Sequence, residues 1–169
     1  MSLRRPVEPG RRLLPLMVTV AAVAVCAAVT VSAMVFWHSQ TERRTAIRDA
    51  AVIDFARSFI AQYTTPDPFN ANAYADRVLA QGTGDFAKQY KEKMNDIVIQ
   101  VAQSEPGVGT VQDLGIERWN DDGSASLVAV ANMVTTMPDG AKVQTASRWV
   151  VTAIKEGEQW KVNNLIQVI

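Results

Sequence analysis

The chain has 169 residues, 48% of them hydrophobic, and its 17 basic and 17 acidic residues leave no net charge. Without a basic stripe, nucleic acid is not an expected partner. One cysteine and one histidine, neither near carboxylates in sequence, supply no transition-metal site and no Cys–His or Ser–His nucleophile, and a single cysteine forbids an intrachain disulfide.

Residues 1–12 form a short tail with Arg4, Arg5, Arg11 and Arg12. It is followed by 25 residues, Leu13 to Trp37, without a charge. As a helix this run would be ~37 Å long, more than the ~30 Å of a bilayer's hydrocarbon core. Val31-Ser32-Ala33 loosely matches a signal-peptidase site, but the run is far longer than the roughly 7–15 residues of a signal core. The expectation is an uncleaved signal anchor over 13–37, single-pass, with the tail cytoplasmic and the C-terminal domain extracytoplasmic. Arg43, Arg44 and Arg48 follow the run closely, so charge alone favours this orientation by four to three. Long domains translocate largely regardless of charge, and that decides the choice. Ala24, Ala28 and Ser32 fall four apart, a spacing that lets helices approach and that also arises by chance in an Ala/Val-rich span.

Setting aside the four arginines and Glu8 from the 17 basic and 17 acidic residues leaves 13 and 16, a charge near −3 beyond the anchor. The 132 residues from His38 to Ile169 suffice for one core. His38 sits at the boundary of the run and reads as an interfacial residue. A juxtamembrane segment and first helix are expected over 38–63, with the helix from Thr41 to Tyr63 following the span after a short break. On it Ala51, Val52, Phe55, Ala56, Phe59 and Tyr63 gather on one side. The prolines of Thr64-Thr65-Pro66-Asp67-Pro68 end that helix. A short helix is expected over 71–81, stopped by Gly82, and one longer helix over 85–103, striped by Phe86, Tyr90, Met94, Ile97 and Val101.

After Pro106-Gly107 the period becomes extended. Strands are expected over 110–119, 124–137, 142–156 and 159–168, separated by Asn120-Asp121-Asp122-Gly123, Pro138-Asp139-Gly140 and Glu156-Gly157-Glu158. Short loops between consecutive strands imply an antiparallel meander. The fold class is therefore α+β, with about three helices packed on a curved four-stranded antiparallel sheet that, with 38–63, completes one domain through 64–169.

Thr83-Gly84-Asp85-Phe86-Ala87-Lys88-Gln89-Tyr90 resembles the motif opening the long helix in Mce-associated membrane proteins of mycobacteria and related actinobacteria. Arg148-Trp149-Val150-Val151-Thr152-Ala153-Ile154-Lys155, then Trp160-Lys161-Val162 and Leu165, is similar to that family's last hairpin. The order of tail, span, helices and four strands matches as well. The resemblance implies a cone-shaped domain like those of nuclear transport factor two, ketosteroid isomerase and SnoaL-like proteins, with a related cone in periplasmic assembly factors of type IV secretion systems. It also implies a non-enzymatic accessory role beside Mce transporters, which move lipids or sterols across the envelope. The expected partners are transporter subunits or related membrane proteins, and in a second reading lipid; no catalytic, cofactor or metal residue is expected.

Two other classes remain open. An isomerase-like enzyme would need Asp54 or Asp76 in a pocket beside a tyrosine hydroxyl, with Tyr63, Tyr74 and Tyr90 as the candidates. Asn132 interrupts Val128/Val130/Val134 and Asn164 interrupts Trp160/Val162/Ile166/Val168, so Tyr63, Tyr74, Asn132 and Asn164 are the candidate polar positions inside the cone. A hydrogen-bonded structural asparagine or a strand bulge accounts for each amide equally well. A lipid carrier would line a cavity with Met94, Met133, Met137, Trp119 and Trp149, residues that a packed core also uses. Phe69, in the 64–70 loop, is the candidate partner contact.

Overall fold

One core gathers the buried aromatic and aliphatic residues after Arg48, and the helices form because their apolar positions recur at helical spacing above it. A computed structural model describes residues 13–168; the basic tail at 1–12 lies outside them. Helix α1 spans Leu13–Tyr63, 51 residues. The break expected between the 13–37 run and a Thr41–Tyr63 helix is absent, since nothing from 38 to 41 is a proline or glycine that would interrupt the ladder. Among the residues whose side chains are described, no helix is long and apolar enough to cross a membrane. Most side chains of the 13–37 run, with Cys26 and that of neighbouring His38, lie outside that set. The chain divides into two compact units between Ile47 and Arg48.

In the first unit Val23, Val25, Val29 and Met34 are exposed, and the Ser32 hydroxyl donates to the Ala28 carbonyl of its own helix at 2.8 Å.

In the second unit α1 ends where expected. Thr64 N–H still donates to Ile60 O, and Pro66 and Pro68 then forbid further turns. A 3-10 turn, Pro68–Asn70, leads into α2, Ala71–Ala80. The single helix expected over 85–103 is two, α3 over Gly84–Glu92 and α4 over Met94–Ala102. Lys93 between them has φ −100° and ψ 9°, off the helical values. The bend has a packing reason: α3 lies on the last strand and α4 on α2, and one straight helix would carry its stripe along a single partner.

Strands β1 (Gly107–Trp119), β2 (Ala125–Thr136), β3 (Lys142–Glu156) and β4 (Gln159–Val168) form one antiparallel sheet in the order β1-β2-β3-β4. That is the expected meander, with β1 starting three residues earlier. Gly123, Gly140 and Gly157 take positive φ at the three hairpins. Register shifts fall between Val111 and Asp113, between Ile116 and Arg118 of β1, and opposite Thr152/Ala153 on β4. Each bulge bends its strand and re-aims the side chains beyond it.

One sheet face carries the core. Val52, Ala56, Phe59 and Ile60 of α1 are fully buried, together with Ala75 and Val78 of α2. They lie against Leu127, Ala129 and Ala131 of β2, Val151 and Ala153 of β3, and Val162 of β4. Ala51, expected on the buried side, is exposed, and Ile60 takes that role. Phe59 is the hub: it stacks on Phe55 and Tyr63 at 6.4 and 5.8 Å and meets Phe86 edge-on at 5.7 Å. At the start of the unit the Arg48 guanidinium sits 3.7 Å over the Trp119 ring, whose indole N–H donates to Asp49 Oδ1 at 3.0 Å. The 81–83 connection is pinned to β4, with Thr83 N–H donating to Val162 O at 2.8 Å and Val162 N–H to Gln81 O at 2.9 Å.

Truncating the hub should show its weight. Phe59→Ala is expected to cost about 3–5 kcal/mol of unfolding free energy, because a fully buried ring leaves a cavity. Gly109→Ala is expected to destabilise by about 1–3 kcal/mol, since its Cβ would fall 1.9 Å from Thr64 Oγ1. Denaturant titration of the purified chain measures both.

Candidate functional site

The last turn of α1 overhangs the far end of the core face and leaves a cavity there. The α1 terminus is held by its own hydroxyls: Thr64 Oγ1 donates to Ile60 O and Thr65 Oγ1 to Ala61 O, each at 2.7 Å. Thr65 Oγ1 also accepts from Gly109 N–H at 2.9 Å, which ties the helix end to β1. Tyr63, Thr64 and Pro66 form one wall, and Met133, Trp149 and Gln167 belong to the floor. Thr145 and Ser147 complete the lining, and the volume is about 210 Å³. The floor comes from three strands because Met133 pairs with Thr145, and Trp149 with Gln167.

The walls are preorganised. Tyr63 meets Trp149 edge-on at 5.3 Å. The Trp149 indole N–H donates to Ser147 Oγ at 2.8 Å, and Ser147 Oγ donates to Ala131 O at 3.3 Å. That serine hydroxyl is occupied on both sides, and no histidine is among the cavity's described lining residues. No carboxylate, imidazole, amine, guanidinium or thiol lines the cavity. Burial raises the Tyr63 phenol above its ordinary value of 10.0, so it stays protonated at neutral pH. At about 210 Å³ the space is below the ~300–1,000 Å³ of drug-sized ligand sites and above an apolar void of ~150 Å³ that takes up benzene. It has room for one ring or the end of an alkyl chain, with hydroxyl and amide groups in its lining.

Of the expected interior positions, Tyr63 alone lines this cavity. Tyr74 is buried behind it, its hydroxyl donating to Tyr63 O at 2.6 Å. Asn132 and Asn164 are not inside. On β2 the buried hydrophobic residues are Ala125, Leu127, Ala129 and Ala131, so Val128, Val130, Asn132 and Val134 point away from the core. Sequence reasoning assigned the valine side to the interior because valine is the larger hydrophobe; the core instead takes the alanines, which make room for the α1 aromatics. On β4 Asn164 pairs with Thr152, and the bulge beside it switches phase. Trp160, Val162 and Leu165 face the core, while Ile166 and Val168 are exposed on the other face. A strand bulge, one of the two explanations open for Asn164, is the one found.

Asp54 and Asp76 are both exposed and line no described pocket. Of the proposed cavity residues Met133 and Trp149 converge; Met94 and Trp119 pack elsewhere in the core and Met137 is exposed in a hairpin. Thr145, Ser147 and Gln167 were missed, although Thr145 and Ser147 alternate with Trp149 at the period of a strand face. Phe69 is 85% exposed. It borders a separate surface hollow of about 440 Å³, with Pro66, Pro68, Pro106 and Arg77 around it. Among the described residues no three His, Cys, Asp or Glu side chains come within reach of one metal ion.

A family model described as uncharacterized protein Rv1363c/MT1408-like matches residues 14–168. The chain belongs to that family. One relative within the Rv1363c/MT1408-like group, the uncharacterized protein Rv1363c of Mycobacterium tuberculosis (strain ATCC 25618 / H37Rv), is 29% identical over 157 residues and 91% of this chain. The match spans 59% of that relative's own length. Among solved structures, a periplasmic fragment of TraM superposes with a TM-score of 0.55 at 11% identity, over 70% of this chain and 95% of the fragment. This Rv1363c/MT1408-like chain therefore shares its fold with a protein of unrelated sequence.

Tyr63, Tyr74 and Tyr90 are the chain's 3 tyrosines. Burial is the first cause raising each, with mutual repulsion of the phenolates adding for Tyr74 and Tyr90. A group that holds its proton more tightly when folded stabilises the fold below its unfolded pKa and loses that contribution as pH rises toward the folded value. Stability should therefore be level through neutral pH and fall above about pH 10. Tyrosinate absorbance in an alkaline titration should rise in one step coincident with unfolding by circular dichroism, not gradually near 10.

Proposed function

We propose that this Rv1363c/MT1408-like protein is a membrane-anchored, non-enzymatic accessory protein that stabilises or assists an Mce-type lipid or sterol transporter in the cell envelope. The observation that carries the proposal is the uncharged run at 13–37, helical throughout, with Val23, Val25, Val29 and Met34 between 62% and 77% exposed. In water each such side chain forfeits ~25 cal/mol for every Å² left unburied; in hydrocarbon the same surface is at home. A single anchor confines the folded unit to a thin layer by the bilayer and raises its effective concentration toward complexes in that membrane.

Several features support a binding role over a catalytic one. The cavity beside Tyr63 holds no group that exchanges a proton near neutral pH, and its serine is already bonded twice. The four-stranded meander with helices on one face fits the cone of SnoaL-like and nuclear-transport-factor-two-like domains, a fold that by itself carries no function. The TraM fragment that shares this fold is periplasmic, and the proposal puts the folded unit of this chain on the same side of its membrane. A second reading, a lipid carrier, is favoured by one observation: a cavity of about 210 Å³ floored by Met133 and Trp149.

The full-length protein should stay in the membrane fraction after an alkaline carbonate wash. Affinity capture from a mild-detergent extract should co-isolate Mce-type transporter subunits, and Phe69→Asp should weaken that capture several-fold with the fold intact, since the ring is exposed. Release by carbonate removes the anchor from the proposal. Capture that retains no transporter subunit overturns the accessory role, and lipid found by mass spectrometry in that case favours the carrier.

A further inference from the structure

The sheet face turned away from the helices carries an apolar patch that no helix covers, and its pattern matches itself. Opposed residues of an antiparallel pair share a face, so the register gives this surface row by row. One row runs Gly115, Val128, Val150, Ile166 across β1 to β4, and the next runs Asp113, Val130, Arg148, Val168. A third runs Thr110, Asn132, Ala146. Val128, Ile166 and Val168 are 36%, 50% and 40% exposed, a contiguous patch uncommon on a surface meant for water.

We propose that this face is covered by a second copy of the chain, in a two-fold dimer whose axis runs along β2. Charge complementarity selects both occupant and axis. Asp113 and Arg148 flank Val130 on β1 and β3, two strand spacings or ~10 Å apart with the valine between them. Neither makes an ion pair among the described residues; the Asp113 carboxylate only accepts from Leu114 N–H, and the Arg148 guanidinium has no hydrogen-bond partner among them. Both are exposed. Rotation about an axis lying over β2 sets β1 of one copy on β3 of the other. Asp113 then faces Arg148 of its mate, twice per dimer by symmetry. An axis across the strands would put each charge near its own copy, and one over the β2–β3 gap would put Arg148 on Val130.

Shape and hydrogen bonding follow the same axis. Gly115 offers open space where a Cβ would stand, within a groove of about 330 Å³ bordered by Asp113, Glu117 and Val128. The rotation brings Val150 of the second copy over that opening. Val128 and Val130 meet their own copies on the axis. Asn132, whose carboxamide makes no hydrogen bond among the described residues, meets Asn132, and two carboxamides are mutually complementary. Sheets stacked face to face lie within ~30° of alignment, so rows next to the axis keep these partners. This inference stands apart from the transporter reading and does not depend on it.

The full-length protein in mild detergent, measured by sedimentation equilibrium, should have the mass of two chains. Asp113→Arg alone and Arg148→Asp alone should each raise the dissociation constant ~10-fold, as like charges meet twice per dimer, and the double swap should return it to within ~3-fold of the natural chain. In a Cys26→Ser background, Val128→Cys should form dimers with a short bis-maleimide in native membranes. Val143→Cys, as exposed but on the other side of the sheet, should not. Because these side chains are exposed, circular dichroism should stay unchanged. A single-chain mass overturns the proposal. So does a dimer in which the double swap restores nothing and position 143 links as well as 128, and so does Val128→Cys linking only to a different protein.

Discussion

Everything in the folded unit depends on how closely α1 approaches the sheet. The α1 face offers large aromatics, Phe55, Phe59 and Tyr63 in a stacked row, and the sheet beneath answers with Ala125, Ala129, Ala131 and Ala153. Large against small is what lets two layers interdigitate at interior density. A leucine or valine at those β2 positions would push the helix off, and Phe59 would lose its edge contact with Phe86. The same approach brings Thr64 so near β1 that Gly109 has no room for a side chain.

The cavity is a consequence of that contact. Because α1 ends at Tyr63 while β2 and β3 continue, the core face runs past its helical cover. Met133, Thr145 and Ser147 are left under the overhang of Tyr63 and Pro66. Trp149 spends its indole hydrogen on Ser147, so those two polar groups of the lining are already engaged. The lining offers shape and apolar surface, with no carboxylate or imidazole among its described residues. It is chemically the opposite of a carboxylate–tyrosine pocket on the same architecture.

Bulges decide which chemistry faces which side. Each shift in β1 keeps an apolar residue on the core, so Val111, Leu114, Ile116 and Trp119 all reach it despite irregular spacing. The β4 bulge turns Ile166 and Val168 outward. The result is a sheet with one face sealed by helices and an apolar patch left open on the other.

By itself, the sequence determined the uncharged run, the helical stripe from Val52 to Tyr63, its stop at Pro66, and four strands with turns at Gly123, Gly140 and Gly157. Each of these is local: charge, a 3.6-residue period, a missing amide hydrogen or a positive φ is written within a few residues. What only the tertiary structure decided was depth. Alternation on β2 showed two faces but not which one is covered, because valine is the more apolar side and alanine the one that fits beneath Phe59. The bend at Lys93 and the Asn163–Asn164 bulge depend on partners distant in the chain, and so did the meeting of Tyr63 with Trp149, 86 residues apart in the sequence. Packing is a property of pairs, and a pair of distant residues has no signature in either residue's neighbourhood.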